Sequence, residues 1–118
     1  MTMSRYRGNK YRAVKTTIDG ITFDSKAEAS RYSELKILER AKQIENLVLQ
    51  PKFELQAGFT HKGKRIQSIN YIADFQYTDC VTGALVVEDV KGVKTKEFNI
   101  KYKMFLKLYP EIDFRVIK

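Results

Sequence analysis

The sequence has few of the residues that cross-link small proteins or build zinc sites. Its 118 residues include one cysteine, one histidine and no tryptophan. A single cysteine, Cys80, excludes an internal disulfide framework, and the lack of a Cys/His cluster excludes a zinc site of the usual kind. We assign no function to Cys80, and we expect the only histidine, His61, to be an exposed loop residue in a basic turn.

Long apolar segments are also missing. No apolar run approaches the roughly 18 residues needed to cross a bilayer, and no signal-peptide pattern opens the chain. The apolar fraction of 43% is sufficient for one hydrophobic core, and 118 residues correspond to one domain. We therefore expect a single-domain cytoplasmic protein with no membrane contact.

Acidic residues are scarce towards both ends of the chain, and the net charge is +8. Residues 1–22 carry five Lys or Arg against one acid, and residues 91–118 carry eight against three. Residues 23–90 differ, because they carry nine basic residues and ten acids. A chain with basic ends and a middle segment that retains its carboxylates is typical of a protein that binds a polyanion next to an acidic site.

The first residues of the chain form a basic arm. Residues 4–15 interleave five cations with two tyrosines and show no helical periodicity. This composition suits contacts to phosphates and stacking on bases, although a solubilising tail would have the same composition. A tight Asp19-Gly20 turn between two short strands follows, so we assign residues 1–22 to the arm and β-turn and 23–118 to the domain proper. The candidate nucleic-acid-binding residues of the arm are Arg5, Arg7, Lys10 and Arg12.

A helix is predicted from about Ser25 to about Lys42. Ser25 and Glu28 have the spacing of a capping box, in which the glutamate lies at the third helical position. Glu28 also lies at the top of the apolar stripe of this helix rather than on its solvent face. A capping role alone explains Glu28, and its spacing requires no catalytic role.

Two long strands are predicted in the middle of the chain. The first covers residues 47–57, where Pro51 indicates an edge or a bulge. The second covers residues 65–77 and places alternate side chains on one buried face, namely Ile69, Tyr71, Ala73, Phe75 and Tyr77. Asp74 is then predicted mid-strand, where aspartate is depleted and no local structural reason for it is visible.

The next strand ends in a group of charged residues. An apolar run beginning at Ala84 leads into Glu88, Asp89, Val90 and Lys91. Because side chains alternate along a strand, Asp89 and Lys91 share one face while Glu88 points to the other. An ordinary strand end with a solvated ion pair would have the same pattern.

The register of the hairpin at residues 78–83 decides which acid meets Asp74. If Asp74 lies opposite Val87 or Asp89, then Asp74, Asp89 and Lys91 share a face. A slip of one residue would bring Glu88 to Asp74 instead. We prefer Asp89, because only this acid shares a face with Lys91. Two neighbouring carboxylates repel unless one is protonated or a cation lies between them, which predicts an oxygen-ligand metal site.

The last part of the chain is predicted to form a helix and a strand. Phe98, Tyr102, Phe105 and Tyr109 recur with helical spacing, which is typical of a core-facing stripe. Pro110 ends the helix, and residues 112–117 form the final strand. Three lysines near the start of this helix are candidates for contacts to a phosphate backbone: Lys94, Lys96 and Lys101.

These elements in this order resemble the PD-(D/E)xK, or restriction-endonuclease-like, nuclease superfamily. The resemblance extends over about residues 5–118 in element order and rests on three segments, 25–28, 73–75 and 88–92. The motifs are similar to those of phage-type endonuclease I junction resolvases, TnsA-type transposon endonucleases and small phage and prophage proteins. The second motif departs from the pattern, since Ala73-Asp74 replaces Pro-Asp, and the third has two adjacent acids.

The resemblance implies an α/β fold, a single restriction-endonuclease-like domain with an α-β-β-β-α-β core and a mixed central sheet. It implies an Mg²⁺- (or Mn²⁺-) dependent DNA endonuclease that acts on branched or structured DNA, as Holliday junction resolvases do. Asp74, Asp89, Glu28 and the Val90 carbonyl are the implied metal ligands, and Lys91 is the implied catalytic lysine. A homodimer, and a location in the host-cell cytoplasm for a phage-encoded chain, are also implied.

A non-catalytic nucleic-acid-binding module is the alternative. It would be a degenerate nuclease or a basic α/β domain, and in it Asp74 and Asp89 could be replaced without loss of function. A protein-interaction adaptor would leave the charge distribution unexplained.

Overall fold

A computed structural model describes residues 14–118. The arm residues Arg5, Arg7, Lys10 and Arg12 lie outside the described residues. The described part of the chain forms the following elements: β1 (Thr16–Ile18), β2 (Ile21–Phe23), α1 (Lys26–Arg40), β3 (Ile44–Leu49), β4 (Lys52–Gln56), β5 (Phe59–His61), β6 (Lys64–Ile66), β7 (Ile69–Ile72), β8 (Phe75–Asp79), β9 (Leu85–Val90), α2 (Lys96–Leu108) and β10 (Asp113–Ile117).

The central sheet has four strands in the order β10-β9-β8-β3. β8 runs antiparallel to both β3 and β9, whereas β9 and β10 are parallel. A parallel pair requires a crossover connection, and α2 supplies it between β9 and β10. The predicted α/β class with a mixed central sheet is therefore confirmed. No helix within residues 14–118 is long and apolar enough to span a bilayer.

The two helices pack against opposite faces of this sheet. The apolar side chains of α1 join a buried cluster that includes Val86, while those of α2 join a second cluster that includes Val87. These two valines are neighbours on β9, so they point to opposite faces. The predicted stripe of α2 is confirmed, because Phe98 and Phe105 are buried in the second cluster.

The predicted local signals at the start of α1 are present. Ser25 is the N-cap, and its hydroxyl accepts a hydrogen bond from the Glu28 amide at 3.1 Å. Asp19 and Gly20 form the turn between β1 and β2 with φ values of 54° and 75°. The helix ends at Arg40 rather than near Lys42, because Lys42 adopts a left-handed φ of 60° that cannot continue a right-handed helix.

Both long predicted strands are broken, and the prediction of continuous strands was wrong. The first divides into β3 and β4 at Gln50 and Pro51, and the second into β6, β7 and β8, with one break at Ala73 and Asp74. The two breaks are joined, since the Gln50 amide donates to the Asp74 carbonyl and the Ala73 amide donates to the Pro51 carbonyl, each at 3.0 Å. The paired strands therefore leave the central sheet together.

The bend at Asp74 also changes which face the side chains occupy. Tyr71 and Ala73 are buried in the cluster with α2, whereas Phe75 and Tyr77 are buried in the cluster with α1. The prediction that these residues share one face was wrong, although all four are buried. An unbroken strand would keep residues 71, 73, 75 and 77 on the same side, so the break is the cause.

A buried ion pair attaches α1 to the sheet. The Arg31 guanidinium donates from Nε and Nη2 to the two Glu88 carboxylate oxygens, both at 2.7 Å. The Tyr77 hydroxyl donates to the same carboxylate, which is 0% exposed. The hydrogen bond to Glu88 raises the pKa of Arg31 further above its ordinary value. Glu88 is thus fully occupied by its contacts with Arg31 and Tyr77.

We expect Arg31→Leu to lower the free energy of unfolding by about 3 kcal/mol, because it leaves the buried Glu88 carboxylate without its partner. Urea denaturation followed by circular dichroism measures the change. Arg40→Leu is the control, since Arg40 is exposed on the same helix and its loss should cost less than about 0.5 kcal/mol. Equal stabilities of the two variants would show that the ion pair does not hold α1.

Candidate active site

An open cleft of about 640 Å³ lies where the N-terminus of α1 meets the end of β9. The four predicted catalytic residues and Val90 all line this cleft, although they come from three separate parts of the chain. The lining residues used below are Asp24, Glu28, Asp74, Asp89, Val90 and Lys91. The fold thus brings together residues that are up to 63 positions apart in sequence (from 28 to 91).

The register between β8 and β9 pairs Gln76 with Val87 and ends at the pair Phe75–Glu88. This agrees with the preferred register along β8. Asp74 and Asp89 follow the last pair, and there the Asp74 amide donates to the Glu88 carbonyl. Glu88 points to the α1 face, where Arg31 contacts it. Asp74 itself lies at the bend between β7 and β8, so the prediction of a mid-strand position was wrong.

Asp74 has a local structural contact that the sequence did not indicate. Its Oδ2 atom accepts a hydrogen bond from the Val90 amide at 2.7 Å. Its own amide donates to the Glu88 carbonyl at 3.1 Å. Within residues 14–118, Oδ1 of Asp74 accepts no hydrogen bond. One carboxylate oxygen is therefore fixed by the backbone while the other remains open to a ligand.

Asp89 is held from two sides and is 3% exposed. The Tyr71 hydroxyl donates to Oδ2, and the Lys91 ammonium lies 3.6 Å from Oδ1. The same ammonium lies 4.9 Å from the centre of the Phe98 ring, within the range of a cation–π contact. Lys91 is therefore positioned beside Asp89 by an anion on one side and an aromatic ring on the other.

The carboxyl groups of the cleft are harder to ionise than usual. Burial raises the pKa of Glu28 to about 7, with further increases from Asp74, Asp24 and Asp89. Burial likewise raises the pKa of Asp89 to about 6, and Lys91 opposes this shift. The pKa of Asp74 is also raised by burial, against the hydrogen bond from Val90. Clustered groups with raised pKa values are typical of functional sites.

The donor set fits a hard divalent cation. Among residues 14–118, no three His, Cys, Asp or Glu side chains form a compact metal-binding group. Mg²⁺ does not need such a cage, because it is commonly held by one or two carboxylates and keeps several waters. Asp74 and Asp89 could supply the two carboxylates, and the Val90 carbonyl could be a further oxygen ligand. Glu28 is close enough to Asp74 and Asp89 for its pKa to be raised by their charges.

Two residues of the site were missed by sequence reasoning. Tyr71 was assigned only to the core, since in an unbroken strand it would point away from the face of Asp74. The bend allows its hydroxyl to reach Asp89. Asp24 precedes the capping box and lines the cleft, and its charge helps to raise the pKa of Glu28. No local motif marks either residue.

The predicted DNA-contacting lysines lie around the start of α2. Lys94 and Lys96 are exposed in the connection after β9 and at the first position of α2. Lys101 is partly buried and pairs with Glu97 at 3.2 Å. Lys101 and Lys91 line one adjoining hollow of about 380 Å³. Positive charge therefore surrounds the acidic cleft on the α2 side.

Residues 8–118 match the model of a family described as "Protein of unknown function (DUF1064)". The match spans all the described elements and the whole cleft. No curated protein and no solved structure matches the chain.

In EDTA we expect the free energy of unfolding to fall as the pH rises from roughly 4 to 8. The folded-state pKa values of Glu28 and Asp89 are raised to about 7 and about 6. The folded protein therefore binds more protons than the unfolded chain in this interval, and their release on raising the pH destabilises it. Denaturant titrations at several pH values measure the trend.

Glu28→Gln should flatten the upper part of the curve of unfolding free energy against pH. It removes the carboxyl group that has the highest pKa among the acids of the cleft. Glu111→Gln removes an exposed glutamate and is the matched control. The raised pKa values of Glu28 and Asp89 would be contradicted if the wild-type free energy of unfolding rose over the whole pH interval. They would also be contradicted if Glu28→Gln gave the same curve as the wild type.

Proposed function

The chain belongs to the DUF1064 family, and we propose that it is an Mg²⁺- (or Mn²⁺-) dependent endodeoxyribonuclease. Its substrate would be branched or structured DNA, as for a Holliday junction resolvase. One observation carries the proposal: Asp74 and Asp89 line the same cleft, with Lys91 beside Asp89, and Glu28 lines it as well. Two carboxylates and a lysine in one cleft are a suitable constellation for metal-assisted hydrolysis of a phosphodiester.

The arrangement of elements supports a restriction-endonuclease-like topology. In the central layer the chain runs through α1, β3, β8, β9, α2 and β10. This is the α-β-β-β-α-β order expected of that superfamily. The first acid follows the bend before β8, and the second lies near the end of β9, as the motif order requires. The topology is part of the proposal.

The side chains have separable roles in the proposed reaction. A divalent cation bound by Asp74 and Asp89 would polarise the phosphate and lower the pKa of a water. Lys91, placed beside Asp89, would orient the attacking water and offset negative charge in the transition state. Tyr71 fixes the Asp89 carboxylate through its hydroxyl. Glu28, with a pKa of about 7, can accept or donate a proton near neutral pH.

Binding of DNA follows from the charge distribution. The net charge of +8 is concentrated outside the acidic middle of the chain. The arm and the lysines around α2 would contact the phosphate backbone, so affinity would fall steeply with salt. A homodimer would place two clefts on opposite strands of a branched substrate. Both the DNA partner and the dimer are parts of this proposal.

The competing candidate is a non-catalytic nucleic-acid-binding module. The cleft itself argues against it, since burial raises the pKa values of Glu28, Asp74 and Asp89, and the nearby aspartates raise that of Glu28 further. A module that only binds phosphates would gain from replacing these acids, because they repel the ligand. A bound catalytic cation would explain why the cleft retains these three acids.

We expect metal-dependent nicking of a labelled four-way junction, with weaker or no cleavage of a linear duplex and a single strand. Asp74→Asn and Lys91→Ala should each lower the rate at least about 100-fold, because they remove a metal ligand and the charge beside the reacting phosphate. Denaturing gels with Mg²⁺ and with EDTA measure the cleavage. Asp113→Asn and Lys103→Ala are exposed controls that should cut at the wild-type rate. Normal cutting by both site variants, or no cutting of any substrate, would refute the nuclease.

We also expect Mg²⁺ or Mn²⁺ to stabilise the wild type at neutral pH. A ligand at about ten times its Kd adds roughly 1.4 kcal/mol, or about 5 °C in Tm for a domain of this size. The gain should vanish in Asp74→Asn, while Asp113→Asn should keep it. Differential scanning calorimetry with and without the metal measures both. An equal gain in the two variants would place the cation elsewhere.

A further inference from the structure

The hairpin formed by β5 and β6, residues 59–66, stands apart from the two hydrophobic clusters. All of its residues are exposed. Within residues 14–118 its strands pack chiefly against each other, through the pairs Phe59–Ile66, Thr60–Arg65 and His61–Lys64. A two-stranded hairpin without packing on one face is only marginally stable in water. Its exposed surface therefore suggests a role in binding.

The charge of the hairpin is of one sign. It carries Lys62, Lys64 and Arg65 together with His61, and no acid occurs between Glu54 and Asp74. Some surface cations elsewhere pair with acids, as Lys36 does with Glu39. No described residue forms a salt bridge with the hairpin cations. Such a surface fits a polyanion.

One of these cations, Arg65, lies close to the main chain at the base of the hairpin. A Cβ atom at Gly58 would lie 2.7 Å from Nη2 of Arg65 and 3.0 Å from the Ile66 carbonyl oxygen. Glycine therefore lets the Arg65 guanidinium lie against the main chain. The exposed apolar pair Phe59 and Ile66, 43% and 36% exposed, lies on the same face as His61 and Lys64.

The hairpin is linked directly to the candidate active site. It continues the β4–β7 ribbon, which leaves the central sheet at Pro51 and Asp74. The tip residue Lys62 is 12 positions from Asp74, which corresponds to at most about 40 Å of extended chain. The tip of the hairpin therefore lies within about 40 Å of Asp74, which is little more than one turn of duplex DNA.

We propose that the hairpin binds the duplex DNA whose phosphate lies in the cleft, with Lys62 and Lys64 contacting the backbone. A two-stranded ribbon is of a size that the major groove admits. A second copy of the chain is the less favoured occupant, because a two-fold interface would bring identical cations together. The identity of the nucleic acid rests on the proposed function.

Binding in EDTA tests the proposal without cleavage. Fluorescence anisotropy with a labelled duplex of about 24 base pairs, over a range of salt concentrations, compares two double variants. Lys62→Gln/Lys64→Gln should reduce the slope of log K against log salt by about 2 and weaken binding roughly tenfold or more at 0.1 M salt.

Arg40→Gln/Lys42→Gln is the matched control, because it removes two exposed charges at the far end of α1. Lys42 and Lys62 both have a left-handed backbone, with φ of 60° and 49°, so the backbone effects of the two variants are matched. The control should bind as the wild type does. An unchanged slope in the hairpin variant, an equal loss in the control, or no binding by the wild type would overturn the proposal. A change in sedimentation with unchanged DNA binding would instead assign the hairpin to self-association.

A cross-linking experiment locates the contact. The single cysteine, Cys80, is exposed, so Cys80→Ser provides a background for one introduced thiol. A photoactivatable reagent attached at Lys62→Cys should cross-link the duplex, and the same reagent at Lys42→Cys should not. Equal yields at the two positions would overturn the proposal. With the cleft residues unchanged, cross-linking at Lys62→Cys without any metal-dependent cleavage would reject the nuclease alone, and cleavage without cross-linking would reject the hairpin alone.

Discussion

The buried ion pair between Arg31 and Glu88 fixes the geometry on which the candidate active site depends. It holds α1 against β9, and Glu28 lies one helical turn before Arg31, so the pair also sets the position of Glu28 over the cleft. Glu88 and Asp89 are neighbours, yet strand alternation sends them to opposite faces. The first pairs with Arg31, while the second faces Lys91 and lines the candidate active site.

The bend at Pro51 and Asp74 connects the architecture with the proposed chemistry. At this point two paired strands leave the central sheet, and Asp74 becomes accessible beside the end of β9. The same bend lets Tyr71 reach Asp89 and directs the ribbon that ends in the basic hairpin. Burial of three acids around this point raises their pKa values and lowers the stability of the metal-free fold. Such a loss of stability is common where function requires like charges to be close.

Local signals predicted the helices well and the strands less well. The capping residues Ser25 and Thr95 and the apolar stripe of α2 depend on contacts within a few residues, so they can be read from the sequence. The strand breaks depend on pairing between distant segments, since each is held by hydrogen bonds from the other. The prediction from apolar and polar alternation therefore extended both strands through the bend, and it assigned Phe75 and Tyr71 to the same face.

The sequence by itself predicted the class of the fold, the turn residues, the capping of α1 and the choice of Asp89, rather than Glu88, as the acid beside Lys91. The last of these followed because strand alternation allows only one of two adjacent acids to share a face with Lys91. The tertiary structure alone decided that Asp74 lies at a bend, that Tyr71 contacts Asp89 and that Asp24 lines the cleft. These features arise from contacts between segments far apart in the chain, and no local pattern of residues encodes them.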